Sequence, residues 1–226
     1  MTSATPPLLP STGDRARALY EQQLTAVFQQ RDRVFAWLFA AQWVFAIGLA
    51  LLWSPYGWAG KVQTTHLHVY YALILGGALT LPPIFMIRRW PGTALTRHSV
   101  AAAQMCWSAL LIHLSGGRVE THFHVFGSLA FLAFYRDWRV LVTATLVVAT
   151  EHLTRGILWS ESIYGITNPE WWRFLEHAFW VLFENVVLVM GIRDSRREMR
   201  VLAQRQAELE MVNRHIEQRV IGRTQE

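Results

Sequence analysis

The sequence predicts an all-α membrane protein, in which a bundle of six transmembrane helices continues into a cytoplasmic coiled-coil helix. Composition is the first indication: 52% of the 226 residues are hydrophobic and 16% are charged, whereas soluble domains are about 25% charged. Six apolar runs approach the roughly 20 residues that cross ~30 Å of hydrocarbon. A coiled-coil pattern of apolar residues follows the last run.

The charge distribution excludes one class of partner. The net charge is +5, but the arginines lie in short clusters between apolar runs, as loop charges that orient membrane helices do. We therefore expect the lipid bilayer as a partner and no nucleic acid. The single cysteine, Cys106, lies inside an apolar run, which excludes an internal disulfide framework.

Three regions are expected along the chain. Residues 1–33 should form a cytoplasmic tail and helix, without the early apolar core of a signal peptide. Residues 34–192 should form the transmembrane domain, and residues 193–226 a cytoplasmic coiled-coil linker to an output domain that lies beyond this sequence. The six predicted spans are 34–54, 67–87, 99–115, 121–135, 138–158 and 173–192.

Orientation follows from the loops. Arginines are concentrated on alternate sides of the membrane, counted from the N-terminus, and the positive-inside rule then places both termini in the cytoplasm. We expect a multi-pass membrane protein. The orienting arginines are Arg31, Arg33, Arg88, Arg89, Arg97, Arg136, Arg139, Arg193, Arg196 and Arg197.

The last helix carries a seam whose members alternate three and four residues apart. Such spacing predicts a parallel homodimeric coiled coil, and polar residues at two seam positions favour a defined register. A solvated amphipathic tail is the alternative. The seam consists of Met199, Leu202, Gln206, Leu209, Asn213, Ile216 and Val220.

Seven of the nine histidines fall, by this topology, in one outer layer that five helices contribute. Ionisable groups inside a membrane cost about 2.5–3.5 kcal/mol at the helix centre and tend to face the bundle interior, so each is a functional candidate. Neutral imidazole suits zinc, copper and iron. The predicted metal ligands are His68, His113, His122, His124, His152, His177 and Glu184.

Several neighbouring groups are expected to support these ligands rather than bind the metal. They are His66, Glu120, Glu151 and Glu176. The predicted ligands outnumber the four that one tetrahedral ion needs. They therefore suit two ions, or one ion whose ligands are held by an elaborate second layer of contacts. For Glu184 three roles stay open: a ligand, a group that orients His177, or a proton carrier. Copper, iron and zinc are all compatible with these residues.

Three stretches carry a resemblance to a known family. They run from Ser108 to His113, from Gly116 to Gly156 and from Glu176 to Glu184. Together they resemble the multi-pass sensory region at the N-terminus of bacterial signalling proteins, which precedes sensor histidine kinases and, in related versions, diguanylate cyclases and chemoreceptor-type domains. The resemblance covers about residues 60 to 200. It implies sensing and signalling, and it supplies no ligand.

The leading interpretation is a sensor input module without catalytic residues of its own. The resemblance implies that it belongs to a histidine kinase of a bacterial inner membrane. Its metal ion is either the stimulus or a fixed cofactor that detects a redox change or a small diatomic molecule. A membrane redox protein with haem b between two histidines is an alternative, and a metal permease is another. The coiled-coil tail counts against both alternatives.

Overall fold

The computed structural model describes residues 11–59, 62–170 and 172–224. These residues form helices joined by short turns and one small β-hairpin, which agrees with the predicted all-α class. The elements in chain order are α1 (Thr12–Trp53), β1 (Tyr56–Ala59), β2 (Val62–Thr65), α2 (Leu67–Arg89), α3 (Ala94–Leu114), α4 (Val119–Ala133), α5 (Trp138–Leu158), α6 (Glu161–Tyr164) and α7 (Arg173–Thr224).

Four of the described helices, α1, α2, α5 and α7, are long and apolar enough to cross a membrane. All six predicted runs coincide with helices, but α4 has only 15 residues, and the 21-residue α3 carries buried polar side chains such as Arg97 and Gln104. The long apolar helices are compatible with a membrane protein. The count of six spans stays a prediction.

Helix α3 is the buried centre of the bundle. It packs against α2, α4, α5 and α6, and Trp107 at its middle is fully buried. On α2, Gly76 lets the aromatic rings approach closely, because a Cβ there would lie 2.7 Å from Trp43 Cδ1 and 3.1 Å from Trp107 Cη2. Trp43 also donates from Nε1 to the carbonyl of Ala72 at 3.1 Å, which fixes α1 on α2.

A buried polar network links α1 to the turn between α2 and α3 and to the turn between α4 and α5. Asp32 accepts hydrogen bonds from Tyr135 Oη at 2.7 Å and from the backbone N–H of Gly92 at 2.6 Å. Arg97 donates to Asp137 at 3.0 Å and to the Gly92 carbonyl at 2.8 Å. Arg97 was predicted to be an orienting loop charge, whereas it is buried and links two interhelical turns.

The β-hairpin after α1 was not predicted. Its strands pair antiparallel with Tyr56 opposite Thr65, and the N–H of His66 donates to the Pro55 carbonyl at 3.1 Å. Each strand has four residues, which is too few for the alternating hydrophobic and polar pattern of a strand to be recognised in the sequence. The hairpin fixes where α2 begins, next to His66 and His68.

The chain divides into two compact units, one of residues 27–192 and one that combines 1–26 with 193–226. In the described part of the second unit, which we call the terminal unit, the start of α1 packs on the end of α7. Leu19, Ala203 and Ala207 form its small core. Arg15 Nε donates to Glu210 Oε2 at 2.7 Å.

The predicted coiled-coil seam separates into two faces of α7. Met199 is buried and Gln206 bonds Gln23 of α1 at 3.3 Å, so these two positions serve contacts within the chain. By contrast Leu202, Leu209 and Ile216, spaced by heptads, are 58%, 64% and 53% exposed. The exposed apolar stripe is therefore narrower than the predicted seam.

Candidate functional site

Helices α4, α5 and α7 bring three of the predicted ligands together. The ring centroids of His122 and His177 are 5.3 Å apart, those of His122 and His152 are 5.7 Å apart, and those of His152 and His177 are 6.2 Å apart. His122 and His152 are buried. We call these three residues the histidine triad.

The triad spacing is close to that of an imidazole metal site. With metal–nitrogen bonds of 2.0–2.1 Å, ring centroids around a tetrahedral ion lie about 5.2 Å apart. Within residues 11–59, 62–170 and 172–224, no three His, Cys, Asp or Glu side chains form an already assembled metal site. The triad is thus an open arrangement, and its rings would have to turn inward to hold an ion.

Two members of the triad are oriented by their own helices. His122 Nδ1 lies 2.9 Å from the Arg118 carbonyl oxygen, and His177 Nδ1 lies 2.8 Å from the Arg173 carbonyl oxygen. A carbonyl can only accept, so each Nδ1 donates, and the neutral ring keeps Nε2 as its available acceptor. This is the tautomer in which histidine commonly binds a metal. Among the described residues, the buried His122 Nε2 has no hydrogen-bond partner.

His152 is flanked by a carboxylate. Glu151 Oε2 lies 2.6 Å from His152 Nδ1, although the angle is not that of a hydrogen bond. Arg155 forms an ion pair with Glu151 and donates to the carbonyl oxygens of Ala109 at 3.1 Å and Ser162 at 3.0 Å. Glu151 thus lies beside the triad, and its role as a supporting group stays a prediction. Arg155 was missed as a site residue, although its spacing from Glu151 is that of a helical ion pair.

A cavity of about 130 Å³ adjoins the triad. Its remaining lining is almost entirely apolar and includes Val125, Val148 and Val181. Three imidazoles thus face a small, mostly apolar space, where few other groups compete for their nitrogens. The Tyr164 ring stands 5.7 Å from the His177 ring.

A second cluster lies where α2 begins and α3 ends. The His66 and His68 ring centroids are 4.3 Å apart, and those of His68 and His113 are 5.0 Å apart. His113 Nδ1 lies 2.7 Å from Ser162 Oγ. In the described part of the chain, His68 Nδ1 and His113 Nε2 are buried without hydrogen-bond partners. His66 Nδ1 accepts the backbone N–H of His68 at 3.1 Å, so His66 also caps α2.

Ser162 connects the two clusters, because it contacts both His113 and Arg155. Its helix, α6, is held against the bundle by a glycine turn. Gly117 has φ of 75°, and a Cβ there would lie 2.4 Å from the backbone N of Gly165. Only glycine permits this approach at this φ. The Gly116-Gly117 pair therefore positions α6, and with it the Ser162 link.

His124 does not join the triad, contrary to the prediction. Its Nε2 lies 2.9 Å from Gln42 Nε2 and its Nδ1 lies 2.8 Å from Ser108 Oγ. The reason is helical geometry: residues two apart point to nearly opposite faces. His122 thus faces α5 and α7, while His124 faces α1 and α3.

The remaining acidic candidates lie elsewhere. Glu120 pairs with Arg118 at 3.5 Å on the surface, and Glu176 is exposed. Glu184 lies two turns from His177 on α7, and within the described ranges its buried Oε2 has no hydrogen-bond partner. Glu184 is outside the set of residues that line the triad cavity. The structure thus brings together Glu151 and the triad, but not these three carboxylates.

The comparisons with known proteins point to signalling. The chain is similar to a signal transducer. It is 31% identical over 119 residues to transducer protein Htr8 of Halobacterium salinarum, an alignment that covers 51% of this chain and 18% of that protein. No family model and no solved structure matches. Because the chain spans less than a fifth of its relative, the activity of a whole protein is a matter for proposal.

Proposed function

We propose that the chain is the membrane input module of a signalling protein, and that the histidine triad binds a transition-metal ion as stimulus or as sensing cofactor. The similarity to a transducer supports the sensory role. One observation carries the metal: the ring centroids of His122, His152 and His177 lie 5.3–6.2 Å from one another, and an oxygen lies within hydrogen-bonding distance of each Nδ1. Oxygen contacts at the second nitrogen are typical of metal-binding histidines.

A second ion is proposed for the other cluster. His68 and His113 each keep one buried nitrogen unpaired among the described residues, with His66 beside them. An ion held by only these two imidazole nitrogens would keep open coordination positions for an external ligand, as in sites where a metal binds a small molecule. Copper, iron and zinc fit this imidazole set. The chain of contacts through Ser162 and Arg155 would let one site influence the other.

A bare ion is favoured over haem b. The cavity beside the triad measures about 130 Å³, whereas pockets that hold cofactor-sized ligands measure about 300–1,000 Å³. A permease is disfavoured for another reason: apart from the triad and Thr145, the cavity is lined by apolar side chains such as Val148 and Leu182, which offer no ligands to a passing ion.

The output is proposed to leave through α7. This helix runs from Arg173 to Thr224 and carries His177 near its start. A metal that draws the His177 ring inward acts on the same continuous helix that carries the exposed stripe of Leu202, Leu209 and Ile216. We propose that this stripe pairs with a second copy in the cytoplasm of a bacterial cell. The partner downstream is a histidine kinase or another output domain.

The deciding experiment is elemental analysis together with an optical spectrum of the purified chain. We expect at least one equivalent of a transition metal per chain, and its loss when His122, His152 and His177 are all replaced by Ala. The matched control replaces His98 and His215, which lie outside both clusters. A strong haem absorption band would select the redox protein instead. A metal content that is nil, or equal in the two variants, would refute the site.

A further inference from the structure

The first turns of α1, residues 12–26, lie along α7 within the terminal unit, and we call them the N-terminal strap. Leu19 of the strap packs against Ala203 and Ala207 of α7. Ala203 is fully buried and Ala207 is 2% exposed. Because residues four apart share one face of a helix, the strap covers a continuous face of α7 in the same chain.

The contact between the strap and α7 is small. Its core consists of one leucine and two alanines, with Tyr20 partly buried against them, so little apolar area stabilises it. Arg15 Nε and Glu210 Oε2 form an ion pair at 2.7 Å, but the two side chains are 39% and 28% exposed, and an exposed ion pair contributes little to stability. A contact held this weakly can open while α1 and α7 stay helical.

The covered face of α7 overlaps the beginning of the predicted coiled-coil seam. Met199, the first seam residue, is 6% exposed and lies only about 40° around the helix from Ala203. Gln206, a later seam residue, receives a hydrogen bond from Gln23 of the strap at 3.3 Å. Further along the seam, Leu209 is 64% exposed. The strap therefore occupies the beginning of the seam and leaves its later part open.

A parallel coiled coil cannot use the whole seam while the strap is in place. Each seam residue has to insert between four residues of the facing helix, and Met199 is buried within its own chain. Asn213 and Ile216, by contrast, are exposed. Pairing through Asn213 and Ile216 is compatible with the strap, whereas pairing through Met199 requires that the strap leaves α7.

We propose that the N-terminal strap keeps Met199 out of the pairing between α7 and a second copy of the chain, and that release of the strap extends the pairing back to Met199. The inference rests on the proposed pairing of α7 with a second copy. The beginning of the seam then serves two partners in turn, the strap of its own chain and α7 of the second copy. The strap is thus an inhibitory contact within each chain.

The test is disulfide cross-linking of the purified full chain in lipid nanodiscs with diamide as the oxidant. All variants carry Cys106→Ser, so that the introduced cysteine is the only thiol. Asn213→Cys reports on the later part of the seam and Met199→Cys on its beginning, because facing seam residues of a parallel dimer come close enough for a disulfide. With the strap intact, we expect cross-linking at Asn213→Cys and none at Met199→Cys.

A charge in the core of the contact should release the strap. Leu19→Asp places a carboxylate against buried alanines, and it should raise the cross-linking of Met199→Cys to the level of Asn213→Cys. The matched control, Ala18→Asp, adds the same charge at the exposed neighbouring position and should leave the cross-linking of Met199→Cys absent. Circular dichroism checks that the helices persist in both variants.

A charge exchange tests the strap by a second route that leaves its core intact. Arg15→Glu places two carboxylates at the ion pair and should raise the cross-linking of Met199→Cys, and the addition of Glu210→Arg should lower it again. If Asn213→Cys cross-links but Met199→Cys reacts equally in the native, Leu19→Asp and Arg15→Glu chains, the strap inference is wrong and the pairing stands. If Asn213→Cys cross-links in none of the chains, the pairing is refuted and the strap inference with it.

Discussion

His122 and His177 lie on different helices with their rings 5.3 Å apart, and each is oriented by the backbone carbonyl four residues before it. Neither ring therefore depends on a distant side chain for its tautomer. The pair presents two Nε2 atoms from α4 and α7, and a movement of either helix changes their separation. This dependence on helix position suits a site that reports to a signalling helix.

The first prediction concerns these two rings. His122→Ala or His177→Ala should each remove a metal bond and cost the purified chain the one metal equivalent bound at the triad, because the loss of a ligand is generally more severe than the loss of a supporting contact. Elemental analysis after dialysis measures it. His98→Ala should leave the metal content unchanged, since His98 Nδ1 is engaged with Thr143 at 2.7 Å.

The second prediction concerns the groups around His152. Glu151→Ala should weaken metal affinity by about 10–100-fold, the usual effect of removing a partner of a ligand histidine. Arg155→Ala should do the same by releasing Glu151. Titration with a competing chelator measures the affinity. Glu120→Ala and Glu176→Ala should have no effect, and a response from either would place the site elsewhere.

The third prediction concerns the contribution of the buried polar network around Asp32 to the stability of the folded chain. Tyr135→Phe removes the hydroxyl that donates to Asp32 at 2.7 Å and should cost about 1–3 kcal/mol, because it leaves a buried acceptor short of a donor. The midpoint of thermal unfolding in detergent reports the change. Tyr70→Phe, at a side chain that is 48% exposed, is the matched control. Equal midpoints for the two variants would contradict the role of the network.

The fourth prediction concerns association. Leu209→Glu places a charge in the middle of the exposed heptad stripe and should convert a dimer to a monomer, since like charges would then face each other across the seam. Light scattering of the purified chain measures the mass. Gln218→Glu adds the same charge on the opposite side of α7, nine residues further on, and should leave the dimer intact. A native chain that is already monomeric would refute the proposed stripe.

The fifth prediction concerns pH. The hydrogen bond and charge of Arg15 lower the pKa of the Glu210 carboxyl below its ordinary value. A lowered pKa in the folded state means that the pair stabilises the terminal unit above the ordinary glutamate pKa of about 4.3, and that this contribution is lost as the pH falls through the lowered value. Hydrogen exchange at Ala203 and Ala207, corrected for intrinsic rates, should show this loss.

The control for that experiment is Glu210→Gln. This variant lacks the titrating carboxyl, so its exchange at Ala203 and Ala207 should already be faster at neutral pH and should change less on acidification. If the native chain and the variant respond identically to pH, another group governs the stability of the terminal unit.

Sequence periodicity located the helices well. The predicted run 138–158 coincides with α5, and the run 67–87 lies within α2. A long apolar stretch bounded by arginines has few stable conformations other than a helix. The hairpin escaped prediction because its strands have four residues each. The exposed part of the seam is narrower than predicted: a heptad pattern shows the spacing of the seam residues, but not whether a helix of the same chain already contacts them, as Gln23 of α1 contacts Gln206.

For the site, the sequence by itself determined which residue types are present and their approximate depth along each helix. Depth follows from counting residues along a helix of fixed rise, so His122, His152 and His177 were expected at one level. Only the tertiary structure decided how each helix is rotated about its axis, because that depends on the packing of all its neighbours. That packing gathered His66, His68 and His113 into a second cluster and set His122, His152 and His177 around one cavity.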